Sequence, residues 1–326
     1  MKTENSKILV IGGAGFIGSF VVAELLKEKV NEVIIYDNFA RGKRNNINES
    51  LKDPRCYIYT SGGDIRDVDI LNKAMEGADY VFHLGAMWLL HCKDFPRTAF
   101  HVNIEGTFNV LEACVNNKIK KLIYSSSASV YGDAVEIPMT ENHPFNNKNF
   151  YGATKISGEA MATAFNDRYG LSVIGLRYMN VYGPNQDQNA AYSGVIPIML
   201  NKISANEQPV INGDGSQAYD FIYVEDAARA NIAALVSDKE FGFYNVGTEV
   251  QTTIRELCDT ILELKKSELK VKYLPYSKED ARQFVQNRIG ARRKSEDEIG
   301  FRYKCELREG LQKLIDWRIE KGIDKR

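Results

Sequence analysis

The segment 7–18 constrains the fold of this chain most strongly, because it joins an apolar strand, a glycine-rich turn and a helix start. The strand Lys7–Ile11 runs into Gly12, and further glycines follow at positions 15 and 18. Gly12 permits a tight turn, Gly15 lets the backbone approach a pyrophosphate, and Gly18 lets helix and strand pack closely. The helix N-terminus offers free N–H groups and partial positive charge to phosphates. The segment therefore predicts a dinucleotide site contacted by Gly12, Gly15, Phe16, Ile17 and Gly18.

An acidic residue follows this turn at the distance that a dinucleotide site requires. Asp37 ends the second predicted strand, 19 positions beyond Gly18. A carboxylate there accepts hydrogen bonds from the ribose 2′-hydroxyl and repels a 2′-phosphate. The nearby Arg41, Lys43 and Arg44 argue the other way, since basic residues can receive that phosphate. We give Asp37 the greater weight, so NAD is favoured over NADP.

Short apolar runs alternate with helical patterns through the first half of the chain. This alternation predicts an α/β fold with a doubly wound parallel Rossmann sheet and a smaller C-terminal α/β substrate lobe. Residues 1–177 are expected to form the nucleotide-binding domain, and 217–249 to return to it through a short strand, Phe221–Val224, that rejoins the sheet. Residues 178–216 and 250–326 are expected to form the substrate lobe. The predicted strands are Lys7–Ile11, Glu32–Tyr36, Tyr57–Thr60, Tyr80–Leu84, Lys121–Ser125 and Ser172–Leu176, with long helices at Thr98–Asn116 and Gly152–Tyr169.

Charge and cysteine usage exclude several classes of function. The formal net charge is −1, which gives no global field to attract nucleic acid or an anionic membrane. The five cysteines are scattered without a C-x-x-C pair, which favours free thiols over a metal site or disulfides. Residues 1–7 are polar and unlike a signal peptide, and no apolar run approaches the ~18 residues that span a bilayer. We expect a cytoplasmic protein without a bound metal.

A tyrosine and a lysine stand four residues apart on one predicted helix face. Tyr151 can act as a base only if its pKa of about 10 is lowered, and the ammonium of Lys155 within the same turn can contribute to that. Tyr-x-x-x-Lys alone is common by chance. Its weight comes from the serine run 125–127, which ends the fifth strand at the edge where such sheets bind ligands.

The ordered series of motifs resembles the extended short-chain dehydrogenase/reductases, and within them the NAD-dependent nucleotide-sugar epimerase/dehydratase family, including UDP-sugar 4-epimerases. The resemblance covers nearly the whole chain. The segments that carry it are Gly12–Gly18, Asp37, Asp64-Ile65, His83–Ala86, Asn103, Ser125–Tyr131, Tyr151–Lys155, Arg177–Pro184, Gly213–Val224 and Asn245–Gly247.

The resemblance implies roles for individual residues. Tyr151 would be the general base, Lys155 would bind the nicotinamide ribose and lower the tyrosine pKa, and Ser127 would bind the sugar 4-hydroxyl. Further cofactor contacts are implied for Asn38, Asp64, Ile65, Leu84, Gly85, Ala86, Asn103, Ser125 and Tyr178. Substrate contacts are implied for Trp88, Ser127, Ser129, Asn180, Val195, Tyr219 and Arg288. The family pairs through the two long helices, which implies a homodimer.

Two positions narrow the reaction. Related dehydratases place Asp-Glu directly after the catalytic Ser or Thr, whereas this chain has Ala128 and Ser129, neither of which is an acid or base near neutral pH. The sequence therefore favours 4-epimerisation of a UDP-hexose or UDP-hexuronate through a transient 4-keto sugar. A 4,6-dehydratase and a 4-dehydrogenase that releases the keto sugar stay open as alternatives. A regulatory Rossmann protein that only binds NAD would be expected to have lost part of the Ser/Tyr/Lys set, which is intact.

Two departures from the family limit the identification of the substrate. Tyr219 stands where many relatives have an arginine that contacts the diphosphate, while Arg288 fits the second phosphate-binding arginine. The base, uridine or guanosine, therefore stays open. The stretch 87–92 is unusually apolar, and Trp88 is interpreted either as a wall against the sugar or as ordinary packing. His83, at a strand end, is interpreted as a structural histidine.

Overall fold

A computed structural model of the chain describes residues 3–187, 194–276 and 285–324. A seven-stranded sheet with the order β3-β2-β1-β4-β5-β6-β11 forms its centre, and every neighbouring pair in it is parallel. The strands within the described residues are β1 Lys7–Ile11, β2 Glu32–Tyr36, β3 Cys56–Ile58, β4 Tyr80–His83, β5 Lys121–Ser127, β6 Val173–Tyr178, β7 Asn180–Tyr182, β8 Val210–Asn212, β9 Ala218–Tyr219, β10 Phe221–Tyr223, β11 Phe241–Val246, β12 Thr252–Thr253, β13 Lys272–Leu274 and β14 Asn287–Arg288.

Helices cover both faces of the large sheet. Along β1, Ile8 and Val10 enter the core on the side of α1 and α8, while Leu9 and Ile11 enter the core on the opposite side, as the period of two in a strand requires. The doubly wound parallel sheet is thereby confirmed. The described helices are α1 Phe16–Leu25, α2 Val68–Met75, α3 Leu89–Asp94, α4 Pro96–Ala99, α5 Gly106–Asn116, α6 Phe150–Tyr169, α7 Val195–Ser204, α8 Val224–Val236, α9 Ile254–Leu264, α10 Arg293–Ile299 and α11 Leu307–Glu320, with a π-helical stretch at Phe100–Glu105.

The strand expected at Phe221–Val224 is present as β10, but the prediction that it rejoins the large sheet was wrong. It pairs in parallel with β7 in a separate two-stranded sheet. The edge of β6 is instead occupied by β11, with Phe241 opposite Val173. The strand β11 was not predicted from the sequence. Its half-buried first half, Phe241–Phe243, lacks the continuous apolar run by which the other strands were recognised.

A third buried cluster belongs to the smaller sheets and to α7, α9 and α11. Here β9 lies between β12 and β14, and the register places Tyr219 opposite Arg288. Two residues separated by 69 positions in the sequence are therefore neighbours. No helix among the described residues is long and apolar enough to cross a membrane.

Candidate active site

The carboxyl ends of β1, β4, β5 and β6 open into one cavity of about 640 Å³. This is the edge at which parallel α/β sheets bind ligands. The cavity brings together residues that are far apart in sequence. Those predicted to contact cofactor or substrate that line it are Gly12, Gly15, Phe16, Ile17, Gly18, Leu84, Ala86, Trp88, Ser125, Ser127, Tyr151, Lys155 and Tyr178.

The glycine turn has the shape that a pyrophosphate site needs. Gly12 has φ +78°, and a Cβ added there would lie 2.8 Å from the backbone nitrogen of Gly85, so both the dihedral and the close approach require glycine. A Cβ at Gly18 would clash with the carbonyl oxygen of Gly12. The first turn of α1 has no side-chain cap and no acidic residue, which leaves its N–H groups and positive dipole end for an anion. These residues therefore fit a dinucleotide.

Asp37 lies at the junction of this turn with a second cavity of about 570 Å³. Its carboxylate accepts hydrogen bonds from the N–H groups of Ala14 at 2.9 Å and Phe39 at 2.8 Å. Burial raises the pKa of the carboxyl, and those two hydrogen bonds oppose the rise. Asn38 and Asp64 line the same cavity, as does Arg44. Arg41 lines the larger cavity, so the two arginines near Asp37 face different parts of the site.

Three predicted cofactor residues lie outside the cavity linings and act within the protein. Ile65 is in the core, and its carbonyl accepts a hydrogen bond from Asn109. Gly85 packs against the glycine turn. Asn103, in the π-helical stretch, bonds both backbone groups of Met87 at 2.7 and 2.9 Å and donates to Thr154 at 3.2 Å. Asn103 thus ties the loop after β4 to the helix that carries Tyr151, a positioning role that the sequence did not reveal.

Ser127, Tyr151 and Lys155 converge at the end of β5. Lys155 Nζ donates to the carbonyl oxygen of Ser125 at 2.7 Å and lies 5.7 Å from the centre of the Tyr151 ring. The hydroxyl of Ser127 hydrogen-bonds Tyr151 and accepts from the N–H of Ser129 at 3.1 Å. The geometry therefore places a potential base, its hydrogen-bond partner and a cation around one point of the cavity.

The pKa values of Tyr151 and Lys155 are shifted from their ordinary values in opposite directions. Burial raises the pKa of Tyr151 to about 12, although the hydrogen bond from Ser127 opposes the rise. Burial also lowers the pKa of Lys155 to about 8. Desolvation is the largest cause of both shifts, and the lowering of the tyrosine pKa by Lys155 stays a prediction. A positive charge in the adjoining cavity is a further means of stabilising the phenolate.

His83 and its surroundings agree with the structural role assigned from the sequence. The ring is buried, and its Nε2 lies 3.1 Å from the hydroxyl of Thr107. Burial, assisted by the charge of Lys155, lowers the pKa of the imidazole to about 3. The ring is therefore neutral at physiological pH and does not face the cavity as a proton acceptor.

Acid–base groups beyond Tyr151 and Lys155 are scarce around the cavity. Ala128 and Ser129, the positions where dehydratases have Asp-Glu, are both buried. Among the described residues that line the cavity, Asp187 is the one carboxylate. It is ion-paired with Arg41 at 3.3 Å.

The predicted substrate residues fall into two groups. Trp88 lines the cavity beside Leu89 and Leu90, which supports its interpretation as a wall. Ser127 also lines it, whereas Ser129, Asn180, Val195, Tyr219 and Arg288 lie outside the lining. The family resemblance also implies that Asn180 and the loop after it hold the phosphates of the sugar nucleotide, and residues 188–193 of that loop are outside the described residues.

Arg288 is the cation best suited to an anionic ligand in the substrate lobe. The residue is half-buried, its pKa is lowered by desolvation, and its buried Nε has no hydrogen-bond partner among the described residues. The neighbouring Tyr219 donates its hydroxyl proton to the carbonyl of Val285 at 2.8 Å. Asn180 donates its side-chain amide to the carbonyl of Asp220 at 2.9 Å. Of the three, Arg288 retains a buried donor for a ligand.

A buried ionic network lies beneath the serine run and was not predicted from the sequence. Arg177 Nε and Nη2 bind the two carboxylate oxygens of Glu159 at 2.9 and 2.7 Å, and Ser126 donates to the same carboxylate at 2.6 Å. Arg177 also donates to Tyr131 at 2.8 Å. Because Ser126 precedes Ser127 and Glu159 lies one turn beyond Lys155, the network fixes β5 and α6 relative to each other.

Comparison with known proteins agrees with this geometry over nearly the full length. The family described as "NAD dependent epimerase/dehydratase family" matches residues 8–247. The solved structure of UDP-N-acetylglucosamine 4-epimerase from Methanobrevibacter ruminantium M1, in complex with UDP-N-acetylmuramic acid, is 35% identical and superposes with a TM-score of 0.90, covering 98% of this chain and 99% of that one. UDP-glucose 4-epimerase from Thermotoga maritima, with UDP-glucose, is 32% identical with a TM-score of 0.87, covering 98% and 100%. A curated relative from Bacillus cytotoxicus, a UDP-N-acetyl-alpha-D-glucosaminuronate decarboxylase, is 31% identical over 326 residues, covering 95% and 97%.

Proposed function

Because the chain belongs to the NAD dependent epimerase/dehydratase family, we propose that it is an NAD-dependent 4-epimerase of a UDP-linked sugar, a hexose or hexuronate. The observation that carries the proposal is the composition of the cavity. It contains Ser127, Tyr151 and Lys155 together, and its one described carboxylate, Asp187, is engaged by Arg41. The site is thus equipped to move one proton at a hydroxyl, and poorly equipped to eliminate a second group.

Ser127, Tyr151 and Lys155 have separate roles in the reaction at the sugar 4-position. NAD⁺, when bound, supplies a hydride acceptor that can return the hydride. Ser127 orients the 4-hydroxyl towards Tyr151, which removes its proton during oxidation and gives the proton back during reduction. Lys155, held by the carbonyl of Ser125, binds the ribose beside the reacting carbon. Rotation of the keto sugar between the two half-reactions inverts C4.

The substrate's nucleotide is assigned to the smaller lobe, 178–216 and 250–326. Arg288 supports this assignment, because a buried guanidinium with an unsatisfied donor is stabilised by an anionic ligand. Tyr219 opposite it supplies no charge, so the diphosphate would depend on Arg288 more strongly than in relatives that have two arginines. The UDP-linked ligands of the two solved relatives favour uridine over guanosine.

A panel of UDP- and GDP-linked hexoses, N-acetylhexosamines and hexuronates, analysed by chromatography and mass spectrometry, tests the reaction. We expect a product of unchanged mass and altered retention, with no accumulation of NADH. Loss of one water would identify a dehydratase and loss of carbon dioxide a decarboxylase. Accumulation of NADH with a keto sugar would identify a dehydrogenase. Each of these three outcomes would contradict epimerisation.

We further propose a homodimer formed by the outer face of α5 and α6. Phe108 on α5 is 42% exposed and packs edge-to-face on Phe165 of α6 at 5.5 Å, and Phe165 contacts Tyr169 at 5.4 Å. A contiguous aromatic surface of this kind on a helical face is typical of an isologous interface. The five cysteines, all free and buried, support a reducing compartment, and we propose the cytoplasm.

Phe108→Glu is expected to convert the dimer to a monomer, since two added carboxylates would face each other across the symmetric interface. Sedimentation or light scattering over a range of protein concentrations measures this. Val236→Glu, a substitution at an apolar residue of similar exposure (43%) at the end of α8, is the control and should leave the mass unchanged. A wild-type protein that is monomeric at all concentrations would disprove the interface.

A further inference from the structure

Arg41 makes two contacts that connect distant parts of the site. Its guanidinium carbon lies 4.0 Å from the centre of the Trp88 ring, and its Nη2 lies 3.3 Å from Asp187 Oδ2. The side chains of Arg41 and Asp187 are 37% and 25% exposed. The contacts are therefore at the surface of the cavity, where solvent meets the site, and not in its floor.

The three residues come from three separate loops. Arg41 follows β2 and Asp37, Trp88 follows β4 and immediately precedes α3, and Asp187 follows β7 on the way to the substrate lobe. All three line the cavity that also contains the glycine turn and the Tyr151–Lys155 pair. Contacts among them span the opening between the dinucleotide loops and the loop that leads to the substrate lobe.

A 2′-phosphate on the adenosine ribose would lie beside Asp37. The cavity beside Asp37 and Asn38 is lined by Arg44 and not by Arg41. The sequence had presented Arg41 as a possible receptor for that phosphate. Its observed partners, an indole ring and a carboxylate, give it a different use.

We propose that Arg41 is a positioning residue that closes the cavity over the bound dinucleotide by holding Trp88 and Asp187 together. We call this three-residue contact the Arg41 clasp. While the clasp is closed, the dinucleotide cannot leave past the loop after β2, and the Trp88 indole is fixed as a wall of the cavity. The proposal rests on dinucleotide binding by this chain and not on which sugar is converted.

Retention of the bound dinucleotide by the Arg41 clasp suits a reaction that returns the cofactor to its starting state. An enzyme that regenerates its cofactor within each turnover gains nothing from exchanging it, and release would leave a keto sugar without a hydride donor. The clasp closes over the dinucleotide side of the cavity. Substrate would enter from the side of the smaller lobe, where Arg288 lies.

The strength of the clasp sets the expected effect. A partly exposed ion pair and a partly exposed cation–π contact each contribute a modest free energy, which salt weakens for the first and solvent for the second. Loss of both contacts when Arg41 is replaced should raise the rate of dinucleotide release roughly tenfold. The rate for the wild type should increase with ionic strength, and the rate for Asp187→Asn should depend on salt less.

The test is the rate of NADH release from the loaded protein without any sugar nucleotide, followed by loss of NADH fluorescence after adding excess NAD⁺. Arg41→Gln and Asp187→Asn should each accelerate release, and Asp187→Asn should add little in the Arg41→Gln background, because both remove the same ion pair. Arg293→Gln removes the same charge from a side chain that is 91% exposed and paired with Asp297, and it should leave release unchanged.

A second readout follows Trp88 itself. The chain has two tryptophans, so Trp317→Phe leaves Trp88 as the reporter. In that background Arg41→Gln should shift the indole emission to longer wavelength, because the ring loses the guanidinium that covers it.

Three results would overturn the clasp. The first is an unchanged rate of NADH release in Arg41→Gln. The second is a fully additive effect of Arg41→Gln and Asp187→Asn on that rate. The third is loss of NADPH binding with the rate of NADH release unaffected, which would assign Arg41 to the 2′-phosphate. Because no sugar is present, a failure here is separate from a failure of the proposed epimerase activity. Unchanged thermal stability of the variants shows that the fold is intact.

Discussion

Tyr151→Phe is expected to lower turnover by about 10²–10⁴-fold, the range that a positioned acid–base group contributes. The substitution removes one oxygen atom and keeps the ring, which lines the cavity 5.7 Å from Lys155 Nζ. Binding of the nucleotide sugar and of NAD should therefore change little. Steady-state rates on the substrate found in the panel, together with calorimetric binding of UDP-sugar, measure the two effects separately.

The control for this variant is Tyr273→Phe in β13. Tyr273 is 45% exposed and lies outside the cavity lining, and removal of its hydroxyl should leave turnover at the wild-type level. Turnover preserved in Tyr151→Phe would remove Tyr151 from its role as base. Equal loss of turnover and of sugar-nucleotide affinity would assign it to binding instead.

Glu159→Gln is expected to destabilise the protein by about 3–5 kcal/mol, because it leaves the Arg177 guanidinium as an uncompensated buried charge. Both side chains of the pair are almost fully enclosed, at 4% and 5% exposure. No solvent reaches Arg177 to replace the lost carboxylate. Chemical denaturation, read as the free energy of unfolding at constant m-value, gives the measurement.

Glu309→Gln provides the matched comparison, since Glu309 also pairs on a helix, with Lys313 at 2.7 Å, but is 54% exposed. Its removal should cost no more than about 1 kcal/mol, as for other surface ion pairs. If the two variants unfold at the same denaturant concentration, the buried network does not contribute as described.

The residues of the site that could be predicted from the sequence are those that belong to local sequence patterns. Gly12, Gly15 and Gly18 define a turn by their spacing. Tyr151 and Lys155 share a helix face by periodicity, and the serine run ends a recognisable apolar strand. Each of these follows from backbone geometry within one or two elements, and the structure brings them to one cavity.

What could not be predicted depends on contacts between distant segments or on burial. The register that sets Tyr219 beside Arg288 and the contact between Arg41 and Asp187 span 69 and 146 positions, and no local pattern encodes them. The choice of β11 over β10 at the edge of the sheet was missed because β11 is only partly apolar. The rise in the pKa of Tyr151 was not predicted, because its main cause is desolvation, which the sequence does not show.

The desolvation of the Tyr151 phenol has a consequence for when this residue can act as a base. Desolvation raises the pKa of the phenol, so its neutral form is favoured while the cavity holds no positive group. A positively charged group bound in the cavity would favour the phenolate, so the desolvation that weakens the base also couples its activation to occupancy of the cavity.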